Sequence, residues 1–346
     1  MGSFSFGFGS DGDGEEGGET NAAPTKTSNE EVVHQIGVEE HRLDKLLLTL
    51  PEHLSYSTVR IESPIGRILH LPKRDLYDVK VQLLQEGSAN DDIIDQIDKT
   101  DIRTGIYEGG FKTWESAGDL ASLLLDRGPR KDIDELVRCD QIIELGAGTA
   151  LPSLVLFNHA LRNNITLTFT LADYNTDVLR LVTLPNLLLT WASNTPSSGM
   201  PQPQHDSTGD LDITPELIEH FKTDLKASEI DLKFLSGPWS PALASLIPTS
   251  APEMGTLILG AETIYSPAST QAFVDLVCTL LKRVKMSKAM VGAKRLYFGV
   301  GGSVDGLKQA CRDHGAVAYE IENHGVPGLE DGKVGVGRAL VEVQMY

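Results

Sequence analysis

The sequence predicts an α/β protein: a doubly wound, mostly parallel sheet with helices on both faces and one antiparallel strand, preceded by an N-terminal extension. Three observations carry that expectation. From about residue 103 onward, short apolar strands alternate with segments whose apolar residues recur at helical spacing. Two strand patterns near the end have only a loop between them, which calls for an antiparallel strand. The stretch QIIELGAGTALPSL, residues 141 to 154, reads as a buried strand, a glycine turn and a helix opened by Pro152.

A chain of 346 residues, 40% apolar and 23% charged, can bury a core of this kind. Residues 1–31 are expected to be a disordered acidic tail, with seven carboxylates against Lys26 among Gly and Ser. The opening FSFGF is unusual there; it fits an incidental sticky segment or a peptide docked on this protein or a partner. Residues 32–102 are expected to form an extension packed on the core. It combines helical stretches (HRLDKLLLTL, DLYDVKVQLLQE) with a hairpin in TVRIESPIGRILHLPKRD.

The main domain is assigned to residues 103–346. DLASLLLDR is helical by its spacing, QIIELG is a strand, and Leu151 to Leu161 is a helix. TLTFTLAD is a strand by its β-branched and aromatic residues, and TDVLRLVTLPNLLLTW a helix with Pro185 as a candidate interruption. Residues 193–212, rich in Pro, Ser and Gly, read as a loop insertion. There follow a helix (ELIEHFKTDLKAS), two strands (LKFLSG, TLILGAE) and a helix (STQAFVDLVCTLLKRVK). A strand (KAMVGAKRLYFGV), a helix (VDGLKQACRDHG) and two strands (AVAYEIEN, GRALVEVQM) complete the pattern.

The formal charge of −19 argues against nucleic-acid binding, which needs a basic face, and suits a basic protein partner. Cys139, Cys278 and Cys311 are too scattered for a disulfide framework or a zinc site and read as buried thiols. No histidine arrangement suggests a metal. With no secretory signal and no membrane-spanning stretch, an intracellular soluble protein is expected.

In an open α/β sheet, ligands sit beyond the carboxyl ends of the strands, where strand order switches. Gly146 and Gly148 fill two places of the dinucleotide fingerprint, but Leu151 stands where the third glycine belongs. Glu144 would crowd a pyrophosphate, yet could accept a hydrogen bond from the ammonium of an amino acid, directly or through water. That favours S-adenosylmethionine, which has an amino-acid end and no phosphate; a plain chain reversal is the bland alternative. Asp173, ending the next strand, can hydrogen-bond both ribose hydroxyls of either nucleoside ligand, while Asn175 could equally cap the following helix.

Six motifs occur in a fixed order: YEGGFKTWE, ELGAGTALP, DYNTDVLRLVTLPN, FLSGPWS, ETIY and KRLYFGVGGSV. Together they resemble the protein-histidine methyltransferases of the seven-stranded, class I (Rossmann-like) type, over about residues 103–346. The family methylates a histidine of a large-subunit ribosomal protein. The resemblance implies S-adenosylmethionine as cofactor and a basic ribosomal protein as partner; from charge and apolar length, neither membrane nor direct nucleic-acid contact is expected. It implies that Lys112, Thr113, Trp114, Glu115 and Ser116 line the cofactor's amino-acid side. Gly146 and Gly148 would let the backbone approach, with Glu144 nearby, and Asp173, Tyr174 and Asn175 would hold the ribose. Gly237 and Trp239 would flank the adenine, and Ala261 would face the methyl group where relatives often carry Ser.

A neutral imidazole is already nucleophilic near pH 7, so alignment and tautomer choice matter more than a strong base. Glu262 or Tyr265 is the candidate acceptor for the other ring N–H, and the τ nitrogen is the expected methylation site. Rival readings are a protein lysine methyltransferase, which ETIY keeps open, an NAD-dependent oxidoreductase, and a non-catalytic interaction module. Cytoplasm and nucleus are the expected compartments for such a substrate.

Overall fold

The computed structural model describes residues 37–87, 110–126, 139–321, 329 and 337–346. The acidic tail and FSFGF, the YEG of YEGGFKTWE and parts of both expected regions lie outside the described residues. Eleven strands are described, β1 (Glu39–His41), β2 (His53–Glu62), β3 (Ile68–Arg74), β4 (Cys139–Leu145), β5 (Leu167–Asp173) and β6 (Thr208–Asp212) among them. The remainder are β7 (Ile230–Ser236), β8 (Gly255–Ala261), β9 (Ser287–Lys294), β10 (Ala316–Glu320) and β11 (Arg338–Met345).

The large sheet runs β1-β7-β5-β4-β8-β9-β11-β10. Its centre is parallel, and β11 lies antiparallel to β9 and β10, as expected from the closing pair of strands. Eight strands stand where seven were expected, because β1 adds itself antiparallel to β7 as a short edge. Three residues reading Glu-Glu-His carry no strand pattern of their own. The class I α/β architecture holds, with a second antiparallel strand at this edge.

Side chains alternate across the pleat and divide the core in two. Ile142 and Leu257 face the cluster built with α3 (Glu115–Asp126), α4 (Leu151–Asn163) and the helix over 176–194, α5. Ile143 and Ile258 face the opposite cluster, filled by α8 (Pro267–Leu281) and α9 (Val304–Asp313). Helices α1 (Leu43–Leu47), α2 (Leu76–Gln85), α6 (Pro215–Ala227) and α7 (Pro241–Leu246) complete the set; α7 has no counterpart in the sequence reading. Cys278 and Cys311 are buried as expected, but Cys139 is only half-buried at the start of β4.

Two local expectations need correction. Within the supposed loop insertion 193–212, residues 208–212 form β6, which pairs with β2 in a separate antiparallel sheet of order β3-β2-β6. TGDLD offers one buried apolar residue, Leu211, opposite the buried Leu54, so its strand state comes from a partner about 155 residues away. The strand expected over KAMVGAKRLYFGV ends at Lys294; Gly299 and Gly301, at φ 83° and 84°, turn the chain back so that Gly301 N–H reaches Tyr297 O.

Pro185 does not break α5. Leu179–Thr183 form a π turn, closed by Leu184 N–H to Leu179 O, which widens the helix ahead of the proline ring. Proline cannot donate to the carbonyl four residues back, Leu181 O, and Arg74 Nη1 takes that place at 2.9 Å. Among the described residues no helix is long and apolar enough to cross a membrane.

Candidate functional site

Register assembles the site. Leu145 pairs with Ala172 on one side and Gly260 on the other, and Asp173 pairs with Ser236. The residues that follow β4, β5, β7 and β8 therefore meet at one carboxyl edge, with β4 at the switch in strand order. There a cavity of about 350 Å³ opens.

The glycine turn is held from three sides. Gly146 and Gly148 have φ of 70° and 50°; a Cβ at Gly148 would lie 3.2 Å from Gly110 O, and one at Gly146 3.2 Å from Thr263 Cγ2. Gly148 N–H donates to Asp173 Oδ2 at 2.9 Å. Thr183 Oγ1 donates to Gly148 O at 2.7 Å, and Asn186 Nδ2 to Thr149 O at 2.9 Å. Asn186 Oδ1 in turn accepts from Arg74 N–H at 2.8 Å, tying β3 to the turn. Thr183 and Asn186 lie inside the motif DYNTDVLRLVTLPN, yet sequence reasoning assigned them nothing.

Glu144 is buried beneath the turn. Its Oε2 accepts from Ser153 N–H at 3.0 Å, so the carboxyl caps α4, whose N-cap residue Ala150 makes no side-chain cap. Burial pushes Glu144 up to about 8; the Asp173 charge adds to this and the Ser153 bond opposes it. Asp173 Oδ1 accepts from Asn175 N–H at 3.2 Å.

At the other end, Glu262 stands just past β8 with φ 57°, a left-handed conformation costing a side chain roughly 1–2 kcal/mol. Its Oε1 accepts from Ser116 Oγ at 2.5 Å and its Oε2 from the Tyr297 hydroxyl at 2.6 Å. Burial and the Glu262 charge raise the Tyr297 pKa, keeping the phenol protonated as donor. Tyr297 is positioned by the glycine turn behind it: a Cβ on Gly302 would fall 2.0 Å from Ile264 O. Trp239 packs edge-on against Phe273, ring centroids 5.4 Å apart.

Of the residues singled out from sequence, Lys112, Trp114, Glu144, Gly146, Gly148 and Asp173 line the cavity. So do Tyr174, Gly237, Trp239, Ala261, Glu262 and Tyr265. Four stand outside the lining. Glu115 turns away to pair with Arg338 at 2.9 Å, and Ser116 spends its hydroxyl on Glu262. Thr113 Oγ1 donates to Thr149 Oγ1 at 3.2 Å, and Asn175 occupies the N-cap of α5 without a side-chain cap bond. Thr263 and Lys294 also line the cavity and were not foreseen; TIY after a strand resembles packing, and Lys294 resembles an ordinary strand end. Among the described residues no cluster of His, Cys, Asp and Glu could hold a metal.

No family model matches the chain. It is 38% identical over 277 residues to Histidine protein methyltransferase 1 of Schizosaccharomyces pombe, spanning 78% of this chain and 75% of that one. With Histidine protein methyltransferase 1 of Saccharomyces cerevisiae it shares 37% over 263 residues, 70% and 68% of the two chains. A Dictyostelium discoideum homologue of the same name is 26% identical over 247 residues, 71% and 61%. By these relationships the chain belongs to the histidine protein methyltransferase family.

Proposed function

We propose that this chain methylates a histidine of a large-subunit ribosomal protein at the τ nitrogen, the ring nitrogen remote from the main chain. The coarser activity follows from the family: the chain is an S-adenosylmethionine-dependent protein-histidine methyltransferase. The ribosomal target rests on the resemblance of the six motifs and on the net charge of −19, which draws basic partners. Such a protein is met newly made in the cytoplasm or during assembly in the nucleus.

The residues at the cavity fit the cofactor. Glu144 and Asp173 supply acceptors at its buried end, Gly146 and Gly148 leave room where a Cβ would intrude, and Thr263 Oγ1 is buried with no hydrogen-bond partner among the described residues. Asp173 would hold the ribose hydroxyls, Glu144 would serve the amino-acid end, and Gly237 with Trp239 would flank the adenine. When bound, S-adenosylmethionine supplies a methyl whose bond to sulfur breaks, leaving the electron pair on sulfur, as the imidazole nitrogen bonds to carbon.

The observation carrying the mechanism is the fixed carboxylate of Glu262. With one donor on each oxygen it cannot rotate, and each oxygen keeps a lone pair. Glu262 would accept the N–H of the second ring nitrogen, selecting the tautomer whose other nitrogen is free to attack. It would then stabilise the positive charge arriving on the ring, whose proton leaves to solvent. Trp114, Tyr265 and Tyr297 would wall the ring in. The test incubates the protein with isotope-labelled S-adenosylmethionine and ribosomal proteins from cells lacking it, then maps the label by mass spectrometry. Label on τ-methylhistidine of one large-subunit protein is expected. Its absence from every large-subunit protein removes the ribosomal reading.

A further inference from the structure

The aromatic faces beside Glu262 are covered by a cation of the protein's own. Lys294, the last residue of β9, places Nζ 5.5 Å from the Trp114 ring centroid and 5.9 Å from that of Tyr297. All three line the same cavity as Glu262. Among the described residues no carboxylate pairs with this ammonium, so the two rings are its partners.

Two aromatic faces converging near a carboxylate are suited to holding an ammonium group. A cavity built to modify lysine would leave those faces to the substrate. We propose that Lys294 is a specificity-determining residue: by filling the faces of Trp114 and Tyr297 itself, it keeps lysine side chains out and leaves the cavity to an uncharged imidazole. The inference rests on the histidine-modifying reading above and deepens it by naming what is refused.

The physics is one of displacement and like charge. A substrate ammonium would have to push Lys294 off both rings and then sit close to it, in surroundings screened less than water. A neutral imidazole meets no such opposition on entry, and the charge its ring gains during transfer faces the Glu262 carboxylate. An imidazolium does meet it, and that form has no lone pair with which to attack. The need is general: an acidic chain attracts basic proteins with many exposed lysines, so discrimination has to be made inside the cavity.

Wild type, Lys294→Ala, Lys294→Gln and Lys294→Arg are compared on ribosomal proteins from cells lacking the enzyme. Labelled S-adenosylmethionine is the donor, and labelled lysine and histidine are counted by mass spectrometry. The lysine-to-histidine ratio is expected to rise at least about tenfold in both neutral variants and to stay at the wild-type value in Lys294→Arg. A ratio unmoved in both neutral variants overturns the proposal, including where total label falls, as a packing defect alone would cause. Where the neutral variants turn over too little to count, butylammonium is titrated into wild type and Lys294→Ala by calorimetry. Saturable uptake by the variant alone supports the assignment, and none in either overturns it. Wild-type label on lysine and none on histidine would overturn the histidine reading itself, a failure told apart by appearing in the unaltered protein.

Discussion

Tyr297 donates its hydroxyl to Glu262 at 2.6 Å, joining the turn after β9 to the end of β8. Ser116 holds the other oxygen of the same carboxylate from the start of α3. A side chain in left-handed backbone, gripped on both oxygens, marks a place where conformational strain is retained for positioning. Tyr297→Phe removes one grip. A hydrogen bond to a charged group is worth about 1.5–3 kcal/mol, so kcat is expected to fall about tenfold to a hundredfold. Affinity for S-adenosylmethionine should stay near wild type. Equal losses in both would place Tyr297 in cofactor binding instead.

Gly148→Ala puts a Cβ into left-handed backbone, 3.2 Å from Gly110 O. The strain is about 1–2 kcal/mol, and its relief requires the turn or Gly110 to shift, at the residue whose N–H is bonded to Asp173. Calorimetry should show S-adenosylhomocysteine binding weakened at least about tenfold, with folding retained. Unchanged affinity would mean that the turn does not touch the ligand.

Asn186→Ala strips partners from Thr149 O and Arg74 N–H, both buried beneath the site. Each unsatisfied group costs about 1–3 kcal/mol, so urea unfolding should register a loss of about 2–6 kcal/mol. Thr183→Val, which removes the bond to Gly148 O and a longer one at 3.4 Å to Val178 O, should cost less. The reverse order would show that the carbonyls are satisfied in some other way.

The Glu144 carboxyl, pushed to about 8 by burial, binds its proton more tightly in the folded protein than at its ordinary value of 4.5. The sign follows: its contribution to stability is complete below about pH 4.5 and is lost as pH rises through about 8. Ligand-free protein should therefore lose stability across that window, and Glu144→Gln should flatten the decline. Thermal melting of both proteins from pH 5 to 8.5 provides the comparison; parallel curves would rule out a protonated Glu144.

Glu115→Ala is expected to leave S-adenosylmethionine affinity unmoved, against what the family resemblance implies for this position. Its exposed carboxylate pairs with Arg338, which Asp119 also holds, and such a pair contributes below about 1 kcal/mol. A tenfold loss of affinity in a binding assay would return Glu115 to the cavity.

Much of the framework was legible in the residues because strand and helix periods are local properties. Glu144, Gly146 and Asp173 could be placed by counting from strand ends. Thr183 and Asn186 could not, although they lie in a motif that drew notice: on a helix so fully buried, polar residues look like packing until their partners are known. β6 was missed because a strand with one apolar residue is made by its neighbour. Pro185 misled because the remedy, a guanidinium on Leu181 O, comes from Arg74, 107 residues earlier.

The order of residues alone determined that β4 must end in a turn open enough for close backbone approach, with carboxylates at the ends of β4 and β5. Apolar spacing and glycine placement need no distant partner to act. Only the tertiary structure decided what those carboxylates and their neighbours do. Strand order and register set Ser116 and Tyr297 on the two oxygens of Glu262 from 146 and 35 residues away, and laid Lys294 over two rings. Convergence of that kind belongs to the packed sheet, because no local periodicity encodes which strand ends become neighbours.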